Sequence, residues 1–290
     1  MKPVFKYIYG PVPSWRLGSS LGIDLLSQEE KICNFDCVYC QLGPTIKYTV
    51  ERKIYVPIEK VIEELETLPN TSLDYITFSG RGESTLAANL GEAIKAVKLI
   101  RKEPIAVLTN GSLMGEDEVR KELVLADFVV AKLDACSPDS LQEINNPDKD
   151  IEFTNVLEGI KEFRKSYQGK LALQIMFTPL EVRTKGAAVT SGNLLLTGFI
   201  DKNKDNIQKL IYLTNYVKPD EVQINTPLRP CNIKPLSKEA ILKIKETFNS
   251  AYKGEFYHKE INVISVYDER ALKHVSPVSD EDTLKRRGKV

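Results

Sequence analysis

The stretch Cys33-Asn34-Phe35-Asp36-Cys37-Val38-Tyr39-Cys40 places three cysteines on one short segment with the spacing C-x3-C-x2-C. Each of three thiolates on such a segment can bind one iron of a four-iron cluster, which is normally held by four cysteines. The fourth iron is then left open to bind a substrate or cofactor and to pass an electron to it. The spacing therefore predicts an iron–sulfur cluster at which chemistry takes place.

Two other uses of these cysteines fit the chain less well. A disulfide with one spare thiol is typical of a secreted protein, but residues 1–10 contain two lysines and no apolar stretch like that of a signal peptide. A structural zinc needs a fourth ligand, and the remaining candidates do not pair at zinc-finger spacing. These candidates are His258, His274, Cys136 and Cys231. Five cysteines, an odd number with three in one group, favour the reducing cytoplasm.

The composition predicts a globular chain without a membrane span. Of 290 residues, 42% are hydrophobic and 28% are charged, which suits one large domain or one domain with an extension. No apolar run approaches the roughly 20 residues that cross a bilayer. Forty basic residues balance forty acidic ones, so no overall field attracts nucleic acid or anionic membranes, although a local basic patch remains compatible with this balance.

Short apolar runs alternate with amphipathic segments of helical period, which predicts parallel βαβ units curled into a partial α/β barrel of about six units. Strands are predicted at Leu21–Leu26, Tyr75–Phe78, Ile105–Leu108, Phe128–Leu133, Leu171–Phe177 and Val222–Ile224. Helices are predicted at Pro57–Leu68, Leu90–Arg101, Glu116–Leu125, Phe153–Tyr167 and Asn206–Val217.

The pattern also predicts how the chain is divided. Residues 1–230 form the core barrel, interrupted by an insertion near 178–205 that is either a lid or an inert surface segment. Residues 231–275 form a short α/β extension with a helix near Ser237–Phe248 and a strand at Ile261–Val266. Residues 276–290 are charged and lack apolar periodicity, so we expect a mobile tail.

Polar runs follow several of the predicted strands. Because the carboxyl ends of parallel strands meet at one rim, we expect these runs to converge there with the cysteine segment. The runs are Ser79-Gly80-Arg81-Gly82-Glu83, Thr109-Asn110-Gly111-Ser112, Asp134 and Asn225-Thr226-Pro227.

Several of these strings, together with the cysteine spacing, resemble the radical S-adenosylmethionine (SAM) superfamily. The glycine–glutamate run Ser79–Glu83 lies about 40 residues after the last cysteine, as in that superfamily, although Ser84 stands where a proline is usual. The strings that point to one branch, the stand-alone proteins grouped with wyosine-type tRNA synthases, are Tyr9–Gly18, Ser20–Asp24, Val107–Leu113 and Val222–Pro227. The resemblance runs from about Tyr9 to Pro230.

The resemblance implies cofactors and roles for particular residues. Cys33, Cys37 and Cys40 would hold a 4Fe-4S cluster, SAM would bind at its open iron, and a flavodoxin or ferredoxin would supply the electron that cleaves SAM to a 5′-deoxyadenosyl radical. Tyr39 would lie near the adenine. The residues expected to bind the methionine end of SAM are Gly80, Arg81, Gly82 and Glu83.

Other polar residues are weaker candidates. Asn110, Ser112, Gln174 and Asn225 could contact SAM, or could instead bond to neighbouring backbone or close a turn. Lys132, Asp134 and Cys231 are the candidates for catalysis. The alternative for Lys132 and Asp134 is an ion pair at the surface. The alternative for Cys231 is a small apolar residue buried in the core.

The predicted function is therefore a radical SAM enzyme that modifies a small molecule or a peptide. One alternative is a tRNA-modifying enzyme, supported by basic residues such as those of the run Lys285-Arg286-Arg287 and disfavoured by the neutral overall charge. The other is an iron–sulfur sensor or electron-transfer protein, which would have no need of the glycine–glutamate run.

Overall fold

The computed structural model describes residues 5–69, 71–179, 203–253 and 261–269. Within them, eight strands form a single sheet and follow one another across it in chain order. The strands are β1 (Ile8–Ser14), β2 (Gly18–Ile23), β3 (Tyr75–Phe78), β4 (Ile105–Thr109), β5 (Phe128–Lys132), β6 (Lys170–Met176), β7 (Glu221–Asn225) and β8 (Asn262–Ser265). β1 and β2 form an antiparallel hairpin, and every later pair of neighbours is parallel.

Helices occupy every connection between the parallel strands. They are α1 (Ile58–Glu66), α2 (Leu90–Ile100), α3 (Asp117–Leu123), α4 (Pro138–Asn145), α5 (Phe153–Ser166), α6 (Lys204–Val217) and α7 (Lys238–Tyr252). The connection between β5 and β6 holds two of them, α4 and α5. This arrangement is the curled α/β half-barrel that the alternating pattern predicted.

The two faces of the sheet are packed differently. Successive residues of a strand point to opposite faces of the sheet. Leu171 and Leu173 of β6 therefore lie on the same face, where they pack in the main core with helix residues such as Phe163. Ala172, between them, belongs to a separate small cluster on the opposite, concave face. The other buried members of this concave cluster are Leu17, Ala106, Phe128 and Val130.

The six predicted strands correspond to β2–β7, and the predicted helices correspond to α1, α2, α3, α5, α6 and α7. β2 begins and ends three residues before its predicted bounds, Leu21–Leu26. It begins at Gly18, and Ser20 Oγ lies 2.7 Å from Thr77 Oγ1 on β3. The strand ends because Asp24 Oδ1 accepts a hydrogen bond from Leu26 N (3.0 Å) and turns the chain.

Three features go beyond the predicted pattern. β1 adds an antiparallel strand at one edge, and α4 is a short helix opened by the side chain of Ser137, which accepts from Ser140 N. The strand predicted at Ile261–Val266 is β8, and its parallel pairing with β7 makes it part of the same sheet. Most of the predicted insertion (180–202) and the predicted tail (276–290) lie outside the described residues.

In the described part of the chain, every helix is too short or too polar to cross a bilayer.

Candidate cofactor site

The cysteine segment lies just beyond the carboxyl end of β2 and is fastened to the loop that follows β3. Ile32 N donates to Arg81 O (2.9 Å) and Ile32 O accepts from Glu83 N (2.9 Å), so that Ile32 and Gly82 form a parallel bridge. Cys33 is buried, whereas Cys37 and Cys40 are partly exposed. The predicted convergence of the cysteines and the glycine run at one rim is therefore present.

Lys31 lies close to all three thiols. Its ammonium donates to Gly43 O (3.1 Å) and lies 3.6 Å from the carboxylate of Asp36, and its side chain is only 7% exposed. Burial alone would lower the pKa of Lys31, but Cys40 and Cys33 outweigh burial and raise it. The lysine therefore supplies a fixed positive charge beside the sulfurs.

Burial keeps two of the three thiols protonated at neutral pH. It raises the pKa of Cys33 to about 12, against the opposing influence of Lys31. Burial also raises the pKa of Cys37, and here Lys132 is the opposing cation. Iron must displace these protons when it binds, since the thiolate is the ligand.

The glycine run is shaped by close contacts with neighbouring protein groups. A Cβ added to Gly82 would lie 1.5 Å from Ile32 O, and one added to Gly80 would lie 2.1 Å from Asp24 Oδ1. The same Asp24 oxygen accepts from Arg81 N (3.2 Å), and the Arg81 guanidinium donates to Gln28 O (2.8 Å). These glycines thus bring the cysteine segment and the end of β2 against one loop; their predicted contact with SAM stays a prediction.

The carboxylate of Glu83 joins the loops after β3 and β4. It accepts from Thr85 Oγ1 (2.7 Å), Thr109 Oγ1 (2.6 Å) and Asn110 N (2.6 Å). Burial raises the pKa of Glu83, while these hydrogen bonds oppose the rise. The side chain is therefore engaged within the protein, so the predicted contact of this loop with a ligand would be made by its main chain.

Asn34 connects the cysteine segment to the loop after β4. Its Oδ1 accepts from Asn110 Nδ2 (2.8 Å) and its Nδ2 donates to Ser112 Oγ (2.8 Å), and all three residues are buried. Sequence reasoning named Asn110 and Ser112 as contacts of SAM but did not single out Asn34. Its position between Cys33 and Cys37 was the available signal.

Tyr39, Lys132 and Asp134 form one buried cluster with Asn145 of α4. The Tyr39 hydroxyl donates to the Asp134 carboxylate and accepts from Lys132 Nζ (2.8 Å), and Lys132 Nζ also lies 4.3 Å from the centre of the Tyr39 ring. Asn145 Nδ2 donates to Asp134 Oδ2 (2.9 Å) and lies 3.4 Å from Cys37 Sγ. Burial raises the pKa of Tyr39 far above its ordinary value, so the hydroxyl keeps its proton.

Comparison with known proteins places the chain in a family. Residues 31–181 match the model of the Radical SAM superfamily. The chain belongs to this superfamily. It is 38% identical over 240 residues to a UPF0026 protein of Synechocystis, covering 82% of this chain and 81% of that protein.

A second relative and a solved structure extend the comparison. The chain is 34% identical over 284 residues to a Brachyspira hyodysenteriae protein named GTPase Obg, covering 96% of this chain but only 38% of that longer protein. The crystal structure of Streptococcus suis SuiB bound to S-adenosylmethionine has a similar fold, with a TM-score of 0.56 and 14% identity. That match covers 81% of this chain and 48% of SuiB.

Membership of the radical SAM superfamily implies SAM and an iron–sulfur cluster as cofactors, and the donor chemistry of the cysteine segment fits the cluster. Three thiols on one loop beside a buried cation are suitable ligands for iron. Across residues 5–69, 71–179, 203–253 and 261–269, no three His, Cys, Asp or Glu side chains already converge as a ligand set.

The remaining candidate residues of this radical SAM protein, Gln174, Asn225 and Cys231, lie on or just after β6 and β7. Gln174 of β6 lies directly beside Gln223 of β7, and both are buried. Asn225 Oδ1 accepts from Thr226 N (2.9 Å), which is a local turn contact. The Cys231 thiol lies 3.2 Å from Ile233 O, beyond the end of β7, so the contacts given for it are local too.

Proposed function

We propose that this chain is a radical SAM enzyme that acts on a small-molecule or peptide substrate. Once bound, a 4Fe-4S cluster and SAM would supply radical chemistry for hydrogen abstraction from the substrate, with one electron from a flavodoxin- or ferredoxin-type reductant. The residues of the chain hold, orient and shield these groups.

The observation that carries the proposal is the direct coupling of the cysteine segment to the glycine–glutamate loop. The Ile32–Gly82 bridge joins the two main chains, and Asn34 adds side-chain bonds to the loop after β4. In a protein that only relays electrons or senses oxidants, this loop would serve to hold the cysteine segment and would have no ligand to bind. In a SAM enzyme the same contact also places the main chain of the glycine loop beside the cysteine segment, where it can bind the ligand.

The remaining contacts support the same role. Lys31 places a positive charge next to the thiols and so favours the thiolates that bind iron. Lys132, Asp134 and Asn145 hold the Tyr39 hydroxyl, which fixes the plane of a ring expected to lie against the adenine. We assign Lys132 and Asp134 a positioning role through Tyr39.

The experiment is anaerobic reconstitution with iron and sulfide, followed by reduction in the presence of SAM. We expect the wild type to bind a four-iron cluster and release 5′-deoxyadenosine, and Cys37→Ala to fold but to lose both. Cys136→Ala is the matched control, because Cys136 lies outside the cysteine segment and its thiol contacts Asn206. Normal iron content and normal 5′-deoxyadenosine yield in Cys37→Ala would contradict the proposal.

The same preparation separates the alternatives. A wild-type cluster that can be reduced but never cleaves SAM would favour a sensor or electron carrier. Bulk tRNA should bind weakly at physiological salt, because forty acidic residues balance forty basic ones. Tight tRNA binding whose logarithmic affinity falls steeply with salt would instead favour a tRNA-modifying enzyme.

A further inference from the structure

Tyr9 of β1 lies across Gly22 of β2 on the concave face of the sheet. The two residues are paired in the antiparallel hairpin, and a Cβ added to Gly22 would lie 2.1 Å from Cζ of the Tyr9 ring. The neighbours of Gly22 in the strand, Leu21 and Ile23, belong to the main core on the other face. The absence of a side chain at residue 22 therefore lets the phenol lie against β2 and reach the end of β3.

The Tyr9 hydroxyl bonds to Ser79, the residue that follows β3 and opens the glycine run. It donates to Ser79 O (3.3 Å) and lies 2.7 Å from Ser79 Oγ. Ser79 N donates in turn to Ile23 O (3.0 Å) at the end of β2. Ser79 is thus held both by the main chain of β2 and by a side chain of β1.

The bond to Ser79 O also fixes part of Gly80. The carbonyl of Ser79 and the N–H of Gly80 belong to one planar peptide group, so a contact that holds the oxygen also sets the direction of the N–H. Asp24 confines the following atoms, because a Cβ added to Gly80 would lie 2.1 Å from Asp24 Oδ1 and Arg81 N donates to the same oxygen (3.2 Å). Tyr9 and Asp24 together determine how the main chain enters the glycine run.

The two glycines of the run keep their own peptide groups unbonded. Within the part of the chain that the structure describes, the main-chain hydrogen bonds of the run are made by Ser79, Arg81 and Glu83. The N–H and C=O groups of Gly80 and Gly82 make none there, and both residues are partly exposed. Because such groups always need a hydrogen-bonding partner, those of the glycines are free to bind a ligand in place of water.

We propose that Tyr9 is a positioning residue for the binding of SAM. Its hydroxyl holds the Ser79–Gly80 peptide in the orientation in which the main chain of Gly80 meets the methionine end of SAM. A phenylalanine would fill the same space against Gly22 but would leave this peptide without its side-chain bond. The inference rests on the proposed function, because it assigns Tyr9 to the same cofactor site.

The test is calorimetric titration of SAM into the anaerobically reconstituted chain, without reductant. Tyr9→Phe keeps the ring and removes only the hydroxyl. We expect its Kd for SAM to rise about five-fold, as for the loss of one ordinary hydrogen bond, with the iron content unchanged. After reduction, the SAM concentration that gives half-maximal 5′-deoxyadenosine formation should rise by the same factor, with little change in the maximal rate.

Tyr267→Phe is the matched control for this titration. The Tyr267 hydroxyl also donates to a main-chain carbonyl at 3.3 Å, that of Leu236, but it follows β8, the strand at the other edge of the sheet. Its removal should leave the Kd for SAM unchanged. A change equal to that of Tyr9→Phe would show that the loss is not specific to the glycine run.

Hydrogen exchange of the cluster-free chain provides a readout that needs no cofactor. Tyr9→Phe should speed exchange in peptides that cover residues 79–83 by about five-fold, and should leave the β1–β2 hairpin at its wild-type rate. Faster exchange throughout the hairpin would show instead that Tyr9 only stabilises the fold.

Ser79→Ala removes one partner of the Tyr9 hydroxyl. Combined with Tyr9→Phe, it should raise the Kd for SAM by less than the product of the two separate factors. Unchanged SAM affinity in Tyr9→Phe, or two factors that simply multiply, would overturn the inference. A wild-type chain that holds its cluster but does not bind SAM would overturn the proposed function, while hydrogen exchange would still show whether Tyr9 orders the loop.

Discussion

Ile32 and Gly82 are joined by their main chains, with Ile32 N bonded to Arg81 O and Ile32 O bonded to Glu83 N at 2.9 Å each. Ile32 directly precedes Cys33, the first cysteine of the cysteine segment. The contact is so close that a Cβ at Gly82 would lie 1.5 Å from Ile32 O. The geometry of the cysteine segment therefore depends on the absence of a side chain at residue 82.

Gly82→Ala should displace Ile32 and with it Cys33. We expect the free energy of unfolding to fall by about 1–3 kcal/mol, as for other overpacked positions, and the iron content after reconstitution to fall with it. Urea unfolding and iron analysis measure the two effects. Gly115→Ala is the control, since its added Cβ would meet only Asn155 O at 3.8 Å. Full iron content with weakened SAM binding would show instead that residue 82 serves the ligand alone.

Asn34→Ala should loosen the cysteine segment from the loop after β4. The change removes the partner of Asn110 Nδ2 and of Ser112 Oγ, both in buried residues, which costs about 1–3 kcal/mol of unfolding free energy. Asn110→Ala should cost a similar amount, and the double variant less than the sum, because both changes break the same bond. Thr247→Ala on the exposed face of α7 should be additive with Asn34→Ala. Simple additivity of the two asparagine variants would show that their bond contributes nothing.

Tyr39→Phe should keep the ring but release it from Lys132, Asp134 and Asn145. Loss of the hydroxyl's hydrogen bonds should weaken the binding free energy of SAM by about 1 kcal/mol. We therefore expect SAM affinity to fall about five-fold while the iron content stays normal. Calorimetric titration of the reconstituted protein measures this, and Lys132→Met should give the same change. Tyr212→Phe is the control, since Tyr212 is 67% exposed. If neither variant changed SAM affinity, the side chains around the Tyr39 hydroxyl would not orient the ring for SAM.

The Cys33 thiol of the cluster-free chain should react slowly at neutral pH. Only the thiolate is alkylated, and a pKa of about 12 means that the thiolate fraction rises about tenfold per pH unit through the whole window from 7 to 9. Lys31 favours the thiolate, so Lys31→Met should raise the pKa further and slow the reaction at every pH in that window. Mass spectrometry of iodoacetamide-treated protein follows Cys33. A rate that levels off below pH 9 would contradict the buried, protonated state.

The fold class was predictable because its signals are local. The strands β2–β7 and six of the seven described helices each show an apolar period within a dozen or so residues. β1 was missed because its sequence, Ile8–Ser14, contains two prolines and a glycine and has no regular alternation. α4 was missed because only one of its two buried residues, Leu141, is apolar and the other is Asn145, so no apolar period marks the helix.

The candidate site was predictable only in part. The C-x3-C-x2-C spacing and the glycine–glutamate run indicated the cofactors, and strand order indicated that both would lie at one rim. The partners of Asn34 and Tyr39 could not be predicted, because those bonds join residues 76 to 106 positions apart. Contacts between residues so far apart in the chain depend on which strands pair and on where each connecting loop lies.

By itself, the sequence determined the family and the alternation of strands and helices, because motif spacing and periodicity are properties of short segments. Only the tertiary structure decided that Gly82 packs against Ile32 and that Glu83 joins two loops. Each of these contacts is made by elements that are distant in the chain. The physical reason is that a parallel sheet brings the ends of all its strands to one rim, whatever their separation in sequence.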